Sequence, residues 1–413
     1  MVVGLDIGTS YIRVAIGDYD ENGKFRILGT SCEKSMGLRN GNIVNIEAAS
    51  NAIRNAIDNA EQNAGVDIVS CYVSVGGDQI EGENATGKVA VSPKGKSQRE
   101  VSKDDIERVI ESATAVQIAM DRERLHVITQ DYIVDGISGI KDPMHRLGVC
   151  LEAAVHIITA SRTTIQNIRS CINRAGYMMN GVMLKTLAAQ KAVATEDEKE
   201  LGSIIVDMGA GTTDILVLVH DAPVYTASIP VGGNMVTNDI AIVKGIPVAE
   251  AERIKIEYGC CWMENISPDA TLIINGIGGR PPEEITQAEL CDIIMPRMEE
   301  IFTMVLNKII EKTNLTQLSG NIILTGAGAR MDGIIELVQN VFGTSAVRIG
   351  LPERLGGIEE NYEGPEWATA IGLVLACKDD VKHHDLKKSR KHLSSEKEGK
   401  GGNIVKRFLK SLF

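Results

Sequence analysis

One short pattern occurs twice in this chain: an acidic residue closes a run of strand formers, glycine follows, then hydroxyls, then a second apolar run. The first copy is Asp6-Ile7-Gly8-Thr9-Ser10, between Val2 to Leu5 and Ile12 to Ile16. The second is Asp207-Met208-Gly209-Ala210-Gly211-Thr212-Thr213-Asp214, between Ile204 to Val206 and Ile215 to Val219. Each reads as a β-hairpin with a sharp glycine turn. Two such hairpins predict two similar half-domains closed around one ligand, and the ligand that suits these turns is a nucleotide. Glycine lets backbone N–H groups approach phosphate oxygens, hydroxyls add donors, and a carboxylate at the strand end holds Mg²⁺ directly or through its waters. A lone Asp-x-Gly turn is common in ordinary hairpins; two strand-flanked copies favour the phosphate reading.

A third cluster, Gly326-Ala327-Gly328-Ala329-Arg330, follows the apolar run Asn321 to Thr325 and leads toward the periodic stretch Gly333 to Phe342. A helix that starts behind a glycine turn offers its N-terminus to a nucleotide; by itself the cluster would be a simple strand-to-helix turn. Neither of the first two loops carries the lysine that the single-site P-loop requires. With 413 residues, 44% of them hydrophobic, and mean hydropathy near zero, the chain has material for two or more domains with real cores. Aromatic residues make up only 4% and the net charge is −12, which argues against nucleic-acid binding by the main body. The cysteines (Cys32, Cys71, Cys150, Cys171, Cys260, Cys261, Cys291, Cys377) show no zinc spacing and are expected to be buried thiols in a reducing cytoplasm. No apolar run reaches the roughly eighteen residues of a spanning helix and a strand begins at Val2, so the expected place is inside the cell.

The strand Phe25 to Ser31, the helix Ile46 to Gly65 and the strand Ile68 to Val75 give a mixed first segment ending at Gly76-Gly77. From Thr86 to about Ala160 the pattern becomes a compact α+β unit: a strand around Lys88 to Val91, a helix Lys103 to Ala119, and strands Leu125 to Ile133 and Cys150 to Ile158. Helices Thr163 to Ala175 and Thr186 to Thr195 lead back to the strand of Asp207, and Asn234 to Glu311 is expected to be a largely helical second insertion. From Lys378 to Asn403 the composition turns polar, with eight Lys/Arg against five Asp/Glu and no apolar periodicity, which predicts a disordered linker.

The last ten residues are amphipathic. At roughly 100° per residue, Ile404, Val405, Phe408, Leu409, Leu412 and Phe413 cover one half of a helical wheel, and Lys406, Arg407, Lys410 and Ser411 the other. At about 1.5 Å per residue the segment cannot cross a hydrocarbon core of about 30 Å, but it suits an interfacial helix on anionic lipid. The alternative is a helix docked on the protein's own core, which needs no linker of that length.

The three glycine clusters, in this order, resemble those of the actin-like ATPase superfamily. Within it the chain is similar to the FtsA family of bacterial cell-division proteins over essentially its whole length. That resemblance rests on Gly4-Leu5-Asp6-Ile7-Gly8-Thr9-Ser10, on Leu125-His126-Val127-Ile128 with Gln130, Tyr132, Asp135 and Gly136, and on Thr195-Glu196-Asp197-Glu198-Lys199-Glu200-Leu201-Gly202. It continues through Gly278-Gly279-Arg280-Pro281-Pro282 to the linker and amphipathic helix. The fold class it implies is α/β: a two-lobed actin-like fold of duplicated RNase H-like domains, with the family's inserted subdomain and a C-terminal amphipathic helix. The first lobe would take residues 1–85, 161–200 and 365–377, and the inserted subdomain 86–160. The second lobe would take 201–233 and 312–364, the helical insertion 234–311, the linker 378–403 and the terminal helix 404–413.

The resemblance also implies ATP and Mg²⁺ in the cleft between lobes. Asp6, Gly8, Thr9, Ser10, Asp207, Gly209, Gly211, Thr212 and Thr213 would face the phosphates, with Asp6 and Asp207 toward the metal. Glu252 and Lys255 would contact adenosine, and Gly326 and Gly328 would form the adenine-side turn. By their spacing alone, Glu252 and Lys255 are equally an ordinary i,i+3 surface pair. Further implications are actin-like filaments of the protein on the cytoplasmic face of the cell membrane at the division septum, and tethering of the tubulin-like FtsZ. The FtsZ C-terminal peptide would dock on the helical insertion, and other divisome proteins would meet the inserted subdomain. The helix Gln287 to Ile309 is the expected peptide site: Arg297 and Lys308 would meet carboxylates, and Ile301, Met304 and Val305 would supply apolar contact. The alternative is a helix with a solvated face and a core stripe.

Two positions depart from the superfamily. Tyr11 stands where many members place Lys or Asn after the first loop, so phosphate binding is weaker or supplied differently. Lys185-Thr186 stands where many carry a Glu or Gln that orients the attacking water. A charged lysine accepts no proton, so ATP is expected to be a structural and switching ligand with slow or absent turnover. Two other function classes stay open: a small-molecule kinase on the same fold, which needs a general base facing a second substrate, and an actin-like adaptor of pilus assembly.

Overall fold

The computed structural model describes residues 1–92, 97–267, 269–274, 281–313 and 320–378. Apart from Lys378, the expected linker and amphipathic helix lie outside these residues, as do Gly278, Gly279 and Arg280.

Both duplicated hairpins form, and each seeds a five-stranded sheet. The first sheet runs Phe25–Lys34, Tyr11–Tyr19, Val2–Ile7, Ser70–Val75, Met178–Leu184. The second runs Ala222–Ile229, Thr213–Val219, Ser203–Met208, Ile322–Thr325, Val347–Ile349. In both, the first three strands pair antiparallel and the remaining two are added in parallel. The duplication read from two turns therefore extends to whole sheets. Val2–Ile7 and Ser203–Met208 are buried at every residue, as strands covered on both faces must be.

The Ile46–Ala64 helix covers one face of the first sheet. Asn45 caps its start by accepting from the Ala48 N–H, Gly65 ends it in the left-handed region, and Ala49, Ala52, Ile53, Ala56, Ile57 and Ala60 form its buried stripe. A helix over 368–378 packs at Gly4, where a Cβ would come within 2.6 Å of Ala370 O. The third glycine cluster leads into the expected helix: Ala327–Arg330 forms a short 3-10 turn, and the α-helix Ile334–Phe342 follows with Gly333 at its N-cap.

The motif Thr195 to Gly202 is a structural staple of the second lobe. Thr195 and Glu198 make a capping box, and Glu198 also accepts from Arg348 Nη2 at 2.6 Å and Asn321 Nδ2 at 2.8 Å. Burial pushes the Glu198 carboxyl up, but the Arg348, Asn321 and Thr195 donors outweigh it and hold the group at about 2.

The α+β insertion is a four-stranded sheet, Ile137–Ile140, Arg122–Val134, Cys150–Ser161, Ile80–Ala90, with the Lys103–Ala113 helix against it. Its first strand begins at Ile80, ahead of the expected boundary at Thr86, and its helix ends at Ala113 instead of Ala119. It docks on the second lobe at the Ala222–Ile229 strand: Asn84 Nδ2 donates to Val224 O at 2.9 Å and Gln130 Nε2 to Pro223 O at 2.8 Å. His156 lies in this seam, 1% exposed, with Nδ1 2.7 Å from Asn84 Oδ1 and Nε2 3.0 Å from Thr226 Oγ1.

Burial pulls the His156 pKa from 6.5 down to about 4. A histidine lowered in this way contributes stability that is complete above its unfolded value and is lost as pH falls from about 6.5 toward 4, by roughly 3 kcal/mol. His126, also pulled by burial to about 4, adds a loss in the same window. Urea unfolding across that window should therefore show a steep loss of stability that His156→Gln reduces. Equal losses in both proteins would rule out His156 as a contributor.

The second insertion contains the Gly233–Lys244, Val248–Tyr258 and Gln287–Thr313 helices, together with a Thr271–Ile274 and Glu283–Thr286 hairpin, so it is not wholly helical. Here the structure corrects the expected peptide site. Ile301 and Val305 are fully buried in the core of this lobe, because they continue the stripe of Leu290, Ile294 and Met298. Arg297 is paired with Asp239 at 2.5 Å and with Glu300. Lys308 is exposed and Met304 half-buried. The cysteines are all free; six are buried as expected, while Cys32 is exposed and Cys150 half-buried.

Candidate functional site

The two hairpin turns face each other across one cleft and share one backbone geometry. Gly8 N–H donates to Tyr11 O at 3.0 Å, and Gly209 N–H donates to Thr212 O at 2.9 Å. The loops are in close contact: a Cβ on Gly211 would lie 2.7 Å from Thr9 Oγ1 and 3.0 Å from Asn40 Cα. Thr9 Oγ1 in turn accepts from Gly41 N–H at 3.0 Å. Together they bound a cleft of about 840 Å³, part of it open to solvent, lined also by Ser10, Thr212, Gly326 and Ala327. Gly326 has φ +82, and a Cβ there would sit 2.3 Å from Asp207 Oδ1, so both backbone and space require glycine. Gly328 is instead pressed against Met208, where a Cβ would lie 2.5 Å from Cγ, and does not line the cleft.

Charge collects at the floor. Asp6 Oδ1 accepts from Ser74 Oγ at 2.7 Å and lies 3.3 Å from Lys185 Nζ. Asp207 Oδ2 accepts from Thr369 Oγ1 at 3.3 Å. Asp214 reaches across the cleft, its Oδ1 accepting from Gly77 N–H at 3.1 Å and its Oδ2 from Thr212 Oγ1 at 3.1 Å. Burial raises the Asp207 carboxyl to about 7; Lys185 opposes that rise, while Asp214 and Asp6 add to it. For Lys185, burial works against the charge, but Asp6, Asp207 and Asp214 outweigh it and hold the ammonium above its ordinary value. Lys185 opens the Lys185–Val193 helix, whose first turn is anchored by Leu184 N–H donating to His126 Nε2 at 3.0 Å. His126 belongs to the inserted subdomain's motif, so that subdomain helps to place the cleft's lysine.

The residues fit a polyphosphate better than a directly bound metal. Among the described residues, Arg13 Nε is buried without a hydrogen-bond partner, and Arg13 lines the cleft. Its guanidinium carbon lies 5.5 Å from the Tyr11 ring centroid and 5.8 Å from that of Trp367, a stack that aims the cation and leaves a donor free. The Lys185 ammonium stands 3.3 Å from Asp6 Oδ1, and the charges of Asp207 and Asp214 also act on it. Among the described residues no three His, Cys, Asp or Glu side chains stand in metal-holding geometry. The Lys185 ammonium would therefore compete with a directly bound divalent cation for the Asp6 carboxylate.

Of the residues expected from sequence, Asp6, Gly8, Thr9, Ser10, Asp207, Gly209, Gly211, Thr212 and Gly326 come together in the cleft. Thr213 does not: it is fully buried and its Oγ1 donates to Val231 O at 2.8 Å, because it alternates with the cleft-facing Thr212 and Asp214. Glu252 and Lys255 also stand outside the lining. Lys255 Nζ donates to Glu252 Oε2 at 2.6 Å and to Gly233 O at 3.1 Å, which knits them to the start of the Gly233–Lys244 helix. Sequence reasoning missed Arg13, Ser74 and Thr369 and gave Asp214 no role. The hairpin register, with Arg13 opposite Asp6 and Asp214 opposite Asp207, was the signal available for two of them.

The family models and the sequence relatives point to one family. The model of "Cell division protein FtsA" matches residues 204–372, and that of "SHS2 domain inserted in FTSA" matches 77–159. The cell division protein FtsA of Borreliella burgdorferi is 43% identical over 389 residues, covering 94% of this chain and 93% of that relative. Those of Pseudomonas aeruginosa and Escherichia coli K12 are 38% and 35% identical, each covering 91% of this chain and, respectively, 88% and 89% of the relative. Among solved structures, a PilM-PilN type IV pilus biogenesis complex matches with TM-score 0.64 at 16% identity, covering 91% of this chain and 98% of that one. MreB5 of Spiroplasma citri bound to AMPPNP matches at 0.52 and 14%, covering 94% and 98%. These structural likenesses show the actin-like fold.

Proposed function

The chain belongs to the FtsA family and is an actin-like cell-division protein; from that premise we propose that it binds ATP between its lobes, polymerises on the cytoplasmic face of the cell membrane at the septum, and tethers FtsZ filaments there. The observation that carries the nucleotide half is the pair of matched turns facing one cleft, with the unpartnered Arg13 Nε beside them. Asp6, Gly8, Thr9, Ser10, Gly209, Gly211 and Thr212 would surround the phosphates, and Gly326 with Ala327 would close the adenosine side. Bound ATP supplies a polyphosphate that joins the two lobes. Lys185 offers no acceptor for a water proton while charged, so the nucleotide acts as a structural ligand with slow turnover.

The membrane half rests on segment 404–413. One such helix binds lipid reversibly, and a filament of linked helices gains avidity without new contacts. For the FtsZ peptide, Lys308 and Met304 remain available on the Gln287–Thr313 helix, with Arg297 able to exchange Glu300 for a peptide carboxylate.

Co-sedimentation with anionic vesicles, with and without ATP and FtsZ, tests the whole reading. The full chain should pellet with lipid and bring FtsZ with it, while a chain truncated after Lys400, or one with Phe408 and Leu409 replaced by Glu, should stay in solution and still bind ATP. Equal pelleting of the full and altered chains would refute the tether.

A further inference from the structure

We propose that Lys185 is the cleft's own phosphate-binding cation, standing between the Asp6 carboxylate and the terminal phosphate of a bound nucleotide, so that nucleotide binding does not depend on a divalent metal. The inference rests on the nucleotide reading of the cleft. The first loop brings no ammonium of its own: Tyr11 occupies that position, 42% exposed. The charge arrives instead from the opposite side. The Lys185 side chain is 15% exposed, and its stem runs so close over Gly76 that a Cβ there would lie 2.9 Å from Lys185 Cδ and 3.2 Å from Asp214 Oδ2. The ammonium thus pairs with Asp6 and feels the charge of Asp214 from the other lobe.

An ammonium carries three donors, and the contact with Asp6 accounts for one of them. A phosphate oxygen entering between the two glycine turns can take another. Arg13, across the hairpin from Asp6, offers its unpartnered Nε to the same anion. Two tethered cations are already in place and lose no translational freedom when the anion arrives. A divalent ion carried in on the phosphates would have to settle beside an ammonium already fixed among the carboxylates, and like charges at that range repel.

The test is ATP affinity of the full chain by calorimetry, in excess Mg²⁺ and in EDTA. The wild-type dissociation constant should change by less than about threefold between the two. Lys185→Gln should weaken binding in EDTA by about tenfold to a hundredfold, the range of a charge-assisted hydrogen bond, with Mg²⁺ restoring much of the loss. Wild-type binding that collapses in EDTA overturns the inference and leaves the nucleotide reading standing. So does a Lys185→Gln protein that binds in EDTA as tightly as wild type. Absence of binding in both conditions removes both readings. Thermal unfolding of the variant checks its fold, and the wild-type comparison decides the question without it.

Discussion

Gly372→Ala is expected to destabilise the fold by about 3 kcal/mol or more, beyond what most single overpacking changes cost. A Cβ on Gly372 would lie 1.8 Å from Ala188 O, so the helix over 368–378 and the Lys185–Val193 helix meet backbone to backbone with no room for a methyl group. No rotamer relieves that contact, because the obstacle is a main-chain carbonyl. One helix must move, and the Lys185–Val193 helix carries the cleft's lysine. Denaturant unfolding should show the midpoint falling, and nucleotide affinity should fall with it. A midpoint within experimental error of wild type would mean that the two helices are farther apart than the structure places them.

Gly211→Val should separate binding from stability. The new side chain would strike Thr9 and the Asn40 backbone on the opposing loop and wedge the two turns apart. In the proposed nucleotide complex each turn would contribute donors to the same phosphates, and losing one set would remove at least one charge-assisted hydrogen bond and the approach of the other loop. We expect ATP affinity to fall about a hundredfold, near 2.7 kcal/mol. The hairpin register behind the turn is untouched, so unfolding should change by about 1 kcal/mol or less. Unaltered ATP affinity would show that the loops need not meet to bind.

Those two variants also mark what a sequence can disclose. Gly211 sits in a recognisable turn, and its importance follows from local chemistry. Gly372 lies in a short apolar helix, and its contact with Ala188 joins residues far apart in the chain, which no periodicity reports. Both hairpins were legible because each pairs with itself across a short turn. Thr213 could have been excluded by strand alternation, since a cleft-facing Asp214 turns its neighbour away. The burial of Ile301 and Val305 follows the helical spacing from Leu290, Ile294 and Met298, but only the packed lobe shows which face is inward. Lys185 was legible as a missing acid, while its position among three carboxylates depends on how two lobes and an insertion come together.

The paired hairpins match in backbone and differ in one charge: Arg13 stands across from Asp6, and Asp214 across from Asp207. Two loops related by pseudo-symmetry have no sense of direction, and a ligand lying between equal loops could be threaded either way round. The change of sign, together with Lys185 beside Asp6 and Gly326 beside Asp207, gives the socket a keyed orientation. Although the lobes are built on one pattern, they cannot trade places.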